Sequence, residues 1–141
     1  MRTIIELKRR GGRVIVLNPL REVGLERFRV PSDARSLLFG STVSDLYLQP
    51  HIGGDIALFK ALLKGVIEAG ALDRVFIADH TAGFDAVRAD VEATSWETLV
   101  EASGVSRAQI EAAVRMITQA RRGIDRKSTR LNSSHMSESR M

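Results

Sequence analysis

The length, composition and charge of the chain exclude several classes of protein. It has 141 residues, of which 44% are hydrophobic and 27% charged, which is typical of one soluble globular domain. It contains no cysteine, which excludes disulfides, thiolate metal sites and iron–sulfur clusters held by this segment. No apolar run approaches the roughly 18 residues of a membrane span, and the start does not resemble a signal peptide. We therefore expect a cytoplasmic protein without a membrane partner.

The basic charge is a weak indication of nucleic-acid binding. Half of the net charge of +4 lies in residues 125–141, where four basic side chains outnumber two acidic ones. The arginines of segment 21–35 are accompanied by no aromatic-rich strand or basic helix, the features expected of a nucleic-acid interface. We therefore expect a solvated or interdomain face there and no nucleic-acid partner.

The first third of the chain predicts two strands of a parallel sheet. A helix over 4–10 should end at Gly11-Gly12, because glycine readily adopts the left-handed conformation that ends helices. The run Arg13–Leu17 follows, and its β-branched residues are typical of a strand buried on both faces. Segment 20–44 is polar and irregular and predicts a long surface loop, after which Leu46–Leu48 predicts a second strand.

A long helix and an ambiguous segment come next. Asp55 is predicted to cap a helix that ends before Gly70. The large apolar residues at helical spacing in it are Ile56, Phe59, Leu62, Leu63, Val66 and Ile67. Segment 73–79 fits a strand through Val75-Phe76-Ile77 or a short helix capped by Asp73, and periodicity does not decide between them.

Two capping boxes predict the last helices. Thr94 with Glu97 predicts the start of one helix, which Gly104 should end. Ser106 with Gln109 predicts the start of the next. The predicted class is therefore α/β, with a parallel sheet and flanking helices.

The first candidate site is the turn Asn18-Pro19-Leu20-Arg21-Glu22, which follows the first strand. Ligands of doubly wound sheets lie at the carboxyl ends of parallel strands. Asn18 can hydrogen-bond a ribose or phosphate, and Arg21 can neutralise a phosphate. The alternative is that Asn18-Pro19 simply makes a turn.

The second candidate site is Gly53-Gly54-Asp55, ahead of the long helix. Glycines let a ligand approach the backbone, and the Asp55 carboxylate can pair with the N1 and N2 donors of guanine. The alternative is that Asp55 only caps its own helix. The spacing is not the G-x-G-x-x-G fingerprint, so an NAD site is poorly supported. No paired carboxylates or histidine–cysteine cluster occur, so we predict no catalytic residue and no metal ligand.

The order of these motifs resembles one protein family. The segments that carry the resemblance are 14–22, 43–50, 53–58, 70–73, 80–84 and 103–105. They resemble the alpha subunit of the formate-dehydrogenase-like molybdopterin oxidoreductases, in the dimethyl sulfoxide reductase superfamily. The resemblance implies a Rossmann-like α/β domain that holds the guanosine end of a molybdopterin guanine dinucleotide. It also implies a helix over 73–79.

The resemblance assigns both turns to the cofactor. Asn18, Pro19, Leu20, Arg21 and Glu22 match the family's turn after the strand, although many relatives have aspartate in place of Asn18. Gly53, Gly54 and Asp55 match the turn that meets the nucleotide. Molybdenum or tungsten would be held by the cofactor. The resemblance implies that the metal ligand, the iron–sulfur cluster and the C-terminal barrel lie in family segments outside residues 1–124.

We therefore expect residues 1–124 to be a partial cofactor-binding domain that is inactive alone. Its partners would be the rest of a parent chain and a redox partner subunit. Residues 125–141 are polar, predict disorder, and resemble a translated sequencing-library adapter, so we expect an artefact there.

Three interpretations of the chain stay open. The first is part of a molybdopterin-dependent oxidoreductase, with formate as substrate by analogy. The second is a stand-alone nucleotide-binding or interaction module without catalysis. The third is an incomplete reading frame that does not fold stably.

Overall fold

A computed structural model of the chain describes residues 2–28 and 41–124. Its elements, in chain order, are α1 (Arg2–Arg9), β1 (Ile15–Leu17), α2 (Val23–Glu26), β2 (Arg27–Phe28), β3 (Ser41–Thr42), β4 (Leu46–Leu48), α3 (Asp55–Glu68), α4 (Arg74–His80), α5 (Phe84–Ala93), α6 (Trp96–Ser103) and α7 (Arg107–Gln119). The predicted tail, 125–141, and the arginines within 29–40 lie outside the described residues. The division of the chain after residue 124 therefore stays a prediction.

Strands β1 and β4 form a two-stranded parallel sheet. In its register, Ile15 is opposite Leu46, Val16 opposite Tyr47 and Leu17 opposite Leu48. The parallel pair with its helices confirms the predicted α/β class and the Rossmann-like description. The prediction of a single surface loop over 20–44 was wrong in part, because this connection contains α2 and the antiparallel pair β2–β3.

The hydrophobic core lies between α3, α6, α7 and β4. Its buried residues are Leu48, Leu58, Ala61, Leu62, Leu99, Val105, Ile110, Ala113 and Val114. Helices α3 and α7 approach closely, because a Cβ atom at Gly65 would lie 2.6 Å from a methyl carbon of Val114. Small residues at such positions let two helix backbones come together and bury the larger side chains around them.

The apolar face predicted for α3 was wrong in part. Ile56 is 82% exposed and Phe59 is 55% exposed, whereas Leu58 and Ala61 are buried. Counting large apolar residues at helical spacing missed Ala61 and Gly65, whose small size makes the contact with α7 possible.

Side-chain caps decide where three helices begin. Asp73 accepts a hydrogen bond from the main-chain amide of Phe76 at 2.9 Å, so the ambiguous segment is a helix, as the resemblance implies. The predicted box of Ser106 and Gln109 is present at the start of α7. For α6 the predicted cap was wrong, because Ser95 accepts from the Thr98 amide at 3.1 Å and serves as the N-cap.

Helix α5 was not predicted from the sequence. Phe84, Val87 and Val91 stand at helical spacing, a signal that the sequence reasoning missed. Val91 is the buried residue of this helix. The hydroxyl of Thr94 donates to the carbonyl oxygen of Asp90 at 2.8 Å, at the end of this helix. None of the helices in 2–28 and 41–124 combines the length and apolarity of a bilayer-spanning segment.

Candidate functional site

The two candidate turns lie at the same edge of the parallel sheet. Turn 18–22 follows β1 and segment 49–55 follows β4, so both leave the carboxyl ends of neighbouring parallel strands. The amide of Asn18 donates to the carbonyl oxygen of Leu48 at 3.0 Å, which continues the strand pairing into the turn. This is the edge at which ligands bind in open α/β sheets.

Turn 18–22 is held internally by its first and last side chains. The Leu20 amide donates to Oδ1 of Asn18 at 3.1 Å, which makes an Asx turn. Nδ2 of Asn18 donates to Oε1 of Glu22 at 2.7 Å. The turn-forming role weighed for Asn18 is therefore present, and both polar ends of its side chain have partners within the turn.

Two side chains of β4 and its extension hold the same turn from outside. The hydroxyl of Tyr47 donates to the carbonyl oxygen of Leu20 at 2.7 Å and accepts from the Glu22 amide at 3.2 Å. Nε2 of Gln49 donates to the carbonyl oxygen of Pro19 at 3.4 Å. Sequence reasoning missed both residues. The available signal was their spacing of two, which places them on one face of an extended strand.

The glycine turn is packed against the C-terminal end of α6. Gly54 is buried, and a Cβ atom there would lie 2.9 Å from the carbonyl oxygen of Ala102 and 3.0 Å from that of Ser103. Gly53 has a φ of +83°, which favours glycine, and a Cβ atom there would meet nothing within 4 Å. Gly54 therefore permits close packing, whereas Gly53 leaves one side of the backbone open.

Asp55 does not cap its helix, which corrects the sequence prediction. Gly54 is the N-cap residue, since its carbonyl oxygen accepts from the Leu58 amide at 3.0 Å, and no side chain caps the helix. Asp55 is instead the first residue of α3 and is exposed. Its carboxylate is favoured there by the positive end of the helix dipole and is not used for capping.

The opposite edge of the sheet carries an ion pair between α1 and the start of β4. Lys8 donates to Asp45, and the Val14 amide donates to the other carboxylate oxygen at 2.7 Å. Burial raises the pKa of Asp45, but the hydrogen bonds from Lys8 and Val14 and the charges of Lys8 and Arg13 outweigh it, so the pKa is lowered. This pair anchors α1 away from the candidate turns.

Several proteins are similar in sequence to most of this chain. No family model matches it. It is 40% identical over 116 residues to Protein YdeP of Escherichia coli, which covers 74% of this chain and 15% of that protein. It is 30% identical over 118 residues to formate dehydrogenase H of Escherichia coli, which covers 84% of this chain and 14% of that protein. The chain is thus homologous to formate dehydrogenase H over a small part of that protein's length.

A further oxidoreductase is similar in sequence, and one solved structure is similar in fold. An uncharacterized oxidoreductase of Mycobacterium tuberculosis is 32% identical over 124 residues, or 83% of this chain and 16% of that protein. Acetylene hydratase from Pelobacter acetylenicus has a similar fold, with a TM-score of 0.61 and 23% identity, over 79% of this chain and 13% of that chain. The chain thus spans about 15% of the length of the curated relatives it matches.

The side chains and main-chain groups of the two turns are of types that contact nucleotides. No group of three or more His, Cys, Asp or Glu side chains that could hold a metal ion occurs within the described ranges. The sheet edge offers instead an exposed carboxylate at Asp55, an open backbone at Gly53 and the exposed Arg21. Carboxylate, main-chain and guanidinium groups are those that contact nucleobases, riboses and phosphates.

Proposed function

We propose that this chain binds the guanosine end of a molybdopterin guanine dinucleotide through turns 18–22 and 53–55. The observation that carries the proposal is their common position at the carboxyl edge of parallel β1 and β4, in a relative of the molybdopterin oxidoreductases. Sheets of this kind bind nucleotides at that edge.

Asp55 is the proposed contact for the guanine base. Its carboxylate is exposed and forms no cap hydrogen bond, so both oxygens can accept the N1 and N2 donors of guanine. Adenine does not present that pair of donors. A carboxylate at this position therefore favours guanine over adenine.

The remaining contacts come from main-chain and basic groups. At Gly53 the positive φ and the open side of the backbone let a ligand approach the peptide closely. Arg21 is exposed in the first turn and supplies positive charge for a phosphate. Asn18, Pro19, Leu20 and Glu22 shape the turn that presents it.

The proposed role of the chain is to position the cofactor. The bound metal supplies the redox chemistry, and the protein groups at the distal guanosine fix where that metal lies. In a longer protein that contains this chain, we propose that the substrate is formate. The relatives that support this include formate dehydrogenase H and the F420-dependent formate dehydrogenase subunit alpha of Methanocaldococcus jannaschii, which is 25% identical over 121 residues.

The proposed partners follow from the same relationship. They are the remainder of a longer chain, which would carry the metal ligand and any iron–sulfur cluster, and a redox partner subunit that accepts the electrons. The described residues would then contact only the guanosine end of the cofactor.

Cofactor content of the longer protein tests this proposal. With Asp55→Ala, the purified protein should contain less molybdenum or tungsten and less guanine per chain than the unaltered protein. Asp85→Ala is a matched control, because Asp85 is also an exposed acidic residue in the first turn of a helix. Unchanged metal and guanine content in the Asp55 variant would rule out the assigned contact.

A further inference from the structure

Tyr47 makes two hydrogen bonds to the main chain of turn 18–22. Its hydroxyl donates to the carbonyl oxygen of Leu20 at 2.7 Å and accepts from the amide of Glu22 at 3.2 Å. We propose that Tyr47 is a positioning residue that holds this turn in the conformation that binds the guanosine phosphate. The inference rests on the proposed function and adds a residue that makes no contact with the nucleotide.

The hydrogen bonds of Tyr47 restrain the part of the turn that the Asx turn leaves free. Oδ1 of Asn18 fixes the amide of Leu20, and Tyr47 fixes the carbonyl of Leu20 and the amide of Glu22. The two peptide groups that flank Arg21 are therefore both fixed by hydrogen bonds. A turn held in this way loses less conformational entropy when a ligand binds.

The two faces of β4 have different roles. Leu46 and Leu48 pack in the hydrophobic core or against it. Tyr47 and Gln49 lie on the other face, and each donates a hydrogen bond to a carbonyl oxygen of turn 18–22. The phenol ring suits this task, because a tyrosine side chain has two rotatable bonds and is held in place at low entropy cost.

The variant Tyr47→Phe removes the hydroxyl and keeps the ring. In the full 141-residue chain, it should weaken GDP binding roughly five- to tenfold, the effect of losing one or two hydrogen bonds. Hydrogen exchange of the Glu22 amide, followed by NMR, should become faster. Thr81→Val is the matched control, because it removes a hydroxyl that donates to the carbonyl oxygen of Ile77 at 2.6 Å in α4. Thr81→Val should change neither the affinity for GDP nor the hydrogen exchange of the Glu22 amide.

The possible results show whether the inference fails alone or together with the proposed function. Equal GDP affinity of Tyr47→Phe and the unaltered chain would overturn the inference alone. Failure of the unaltered chain to bind GDP would overturn the proposed function, and the positioning role with it. Slower hydrogen exchange of the Glu22 amide in Tyr47→Phe would also overturn the inference, because an amide that has lost its acceptor should exchange faster.

A second measurement applies if Tyr47→Phe does not fold. The chain contains one tyrosine, so ¹³C-labelled tyrosine gives a ring signal from Tyr47 alone. Saturating GDP should shift that signal in the unaltered chain, because the turn it holds would gain a charged ligand. A ring signal that stays unshifted while GDP binds would overturn the inference.

Discussion

The amide of His51 donates a hydrogen bond to the carbonyl oxygen of Ser103 at 2.8 Å. This bond joins the loop after β4 to the C-terminal end of α6. Gly54 lies against the same end, where a Cβ atom would be 2.9 Å from the carbonyl oxygen of Ala102. The position of the candidate glycine turn therefore depends on α6, which is remote in sequence.

Replacing Gly54 should destabilise the fold. In Gly54→Ala the new methyl group would contact main-chain oxygens that cannot move without shifting α6, so we expect a loss of about 2 kcal/mol in the free energy of unfolding. Gly24→Ala is the control, because a Cβ atom there meets nothing within 4 Å. Urea denaturation of both variants measures the difference. Equal stabilities would contradict the close packing of Gly54 against α6.

Lys64 should contribute to stability through a buried ammonium group. Its Nζ donates to the carbonyl oxygens of Val91 at 3.3 Å, Glu92 at 3.2 Å and Thr94 at 2.8 Å, which caps the end of α5. Lys64→Met leaves these acceptors without that donor, so the free energy of unfolding should fall by about 2 kcal/mol.

The control for Lys64 is Lys60→Met. Lys60 pairs with Asp90 at 2.7 Å, and the carboxylate of this pair is 70% exposed. Exposed pairs contribute about 0–1 kcal/mol, so this variant should lose less stability than Lys64→Met. If both lysine variants unfold at the same urea concentration, the capping role of Lys64 is wrong.

Asp45 should make part of the stability depend on pH. Burial raises its pKa, but hydrogen bonds from Lys8 and the Val14 amide lower it below the value of an unfolded chain. The stabilisation is fully present above the unfolded-state pKa and is lost as the pH falls through the folded-state pKa. Urea denaturation between about pH 6 and about pH 2 should show this loss in the unaltered chain and a smaller one in Asp45→Asn. An equal acid dependence of both proteins would contradict the assignment.

Local sequence signals predicted much of the fold. Strands β1 and β4 and the box of Ser106 and Gln109 depend on neighbours in sequence, and each was predicted at or near its position. Segment 73–79 needed the family resemblance, because Val75-Phe76-Ile77 has the composition of a strand. Its helix is decided by the Asp73 cap, which competes with that composition.

Contacts between distant segments account for what the sequence did not predict. Tyr47 holds a turn on another strand, and Gly54 is buried by the end of α6. The spacing of two between Tyr47 and Gln49 places them on one strand face but does not show which turn they hold, and the contact of Gly54 leaves no periodic pattern. The cap role of Asp55 was wrong because an acidic residue is favoured both at the N-cap and in the first turn, and backbone geometry alone decides between them.

The carboxylate of Asp55 is proposed to select guanine over adenine. Calorimetric titration of the 141-residue chain with GDP and with ADP tests it most directly. GDP should bind more tightly than ADP, and Asp55→Asn should weaken GDP binding at least about tenfold, since it removes hydrogen bonds to a charged acceptor. Asp85→Asn should leave GDP binding unchanged. Equal affinity for GDP and ADP, or the same loss in both aspartate variants, would contradict the claim.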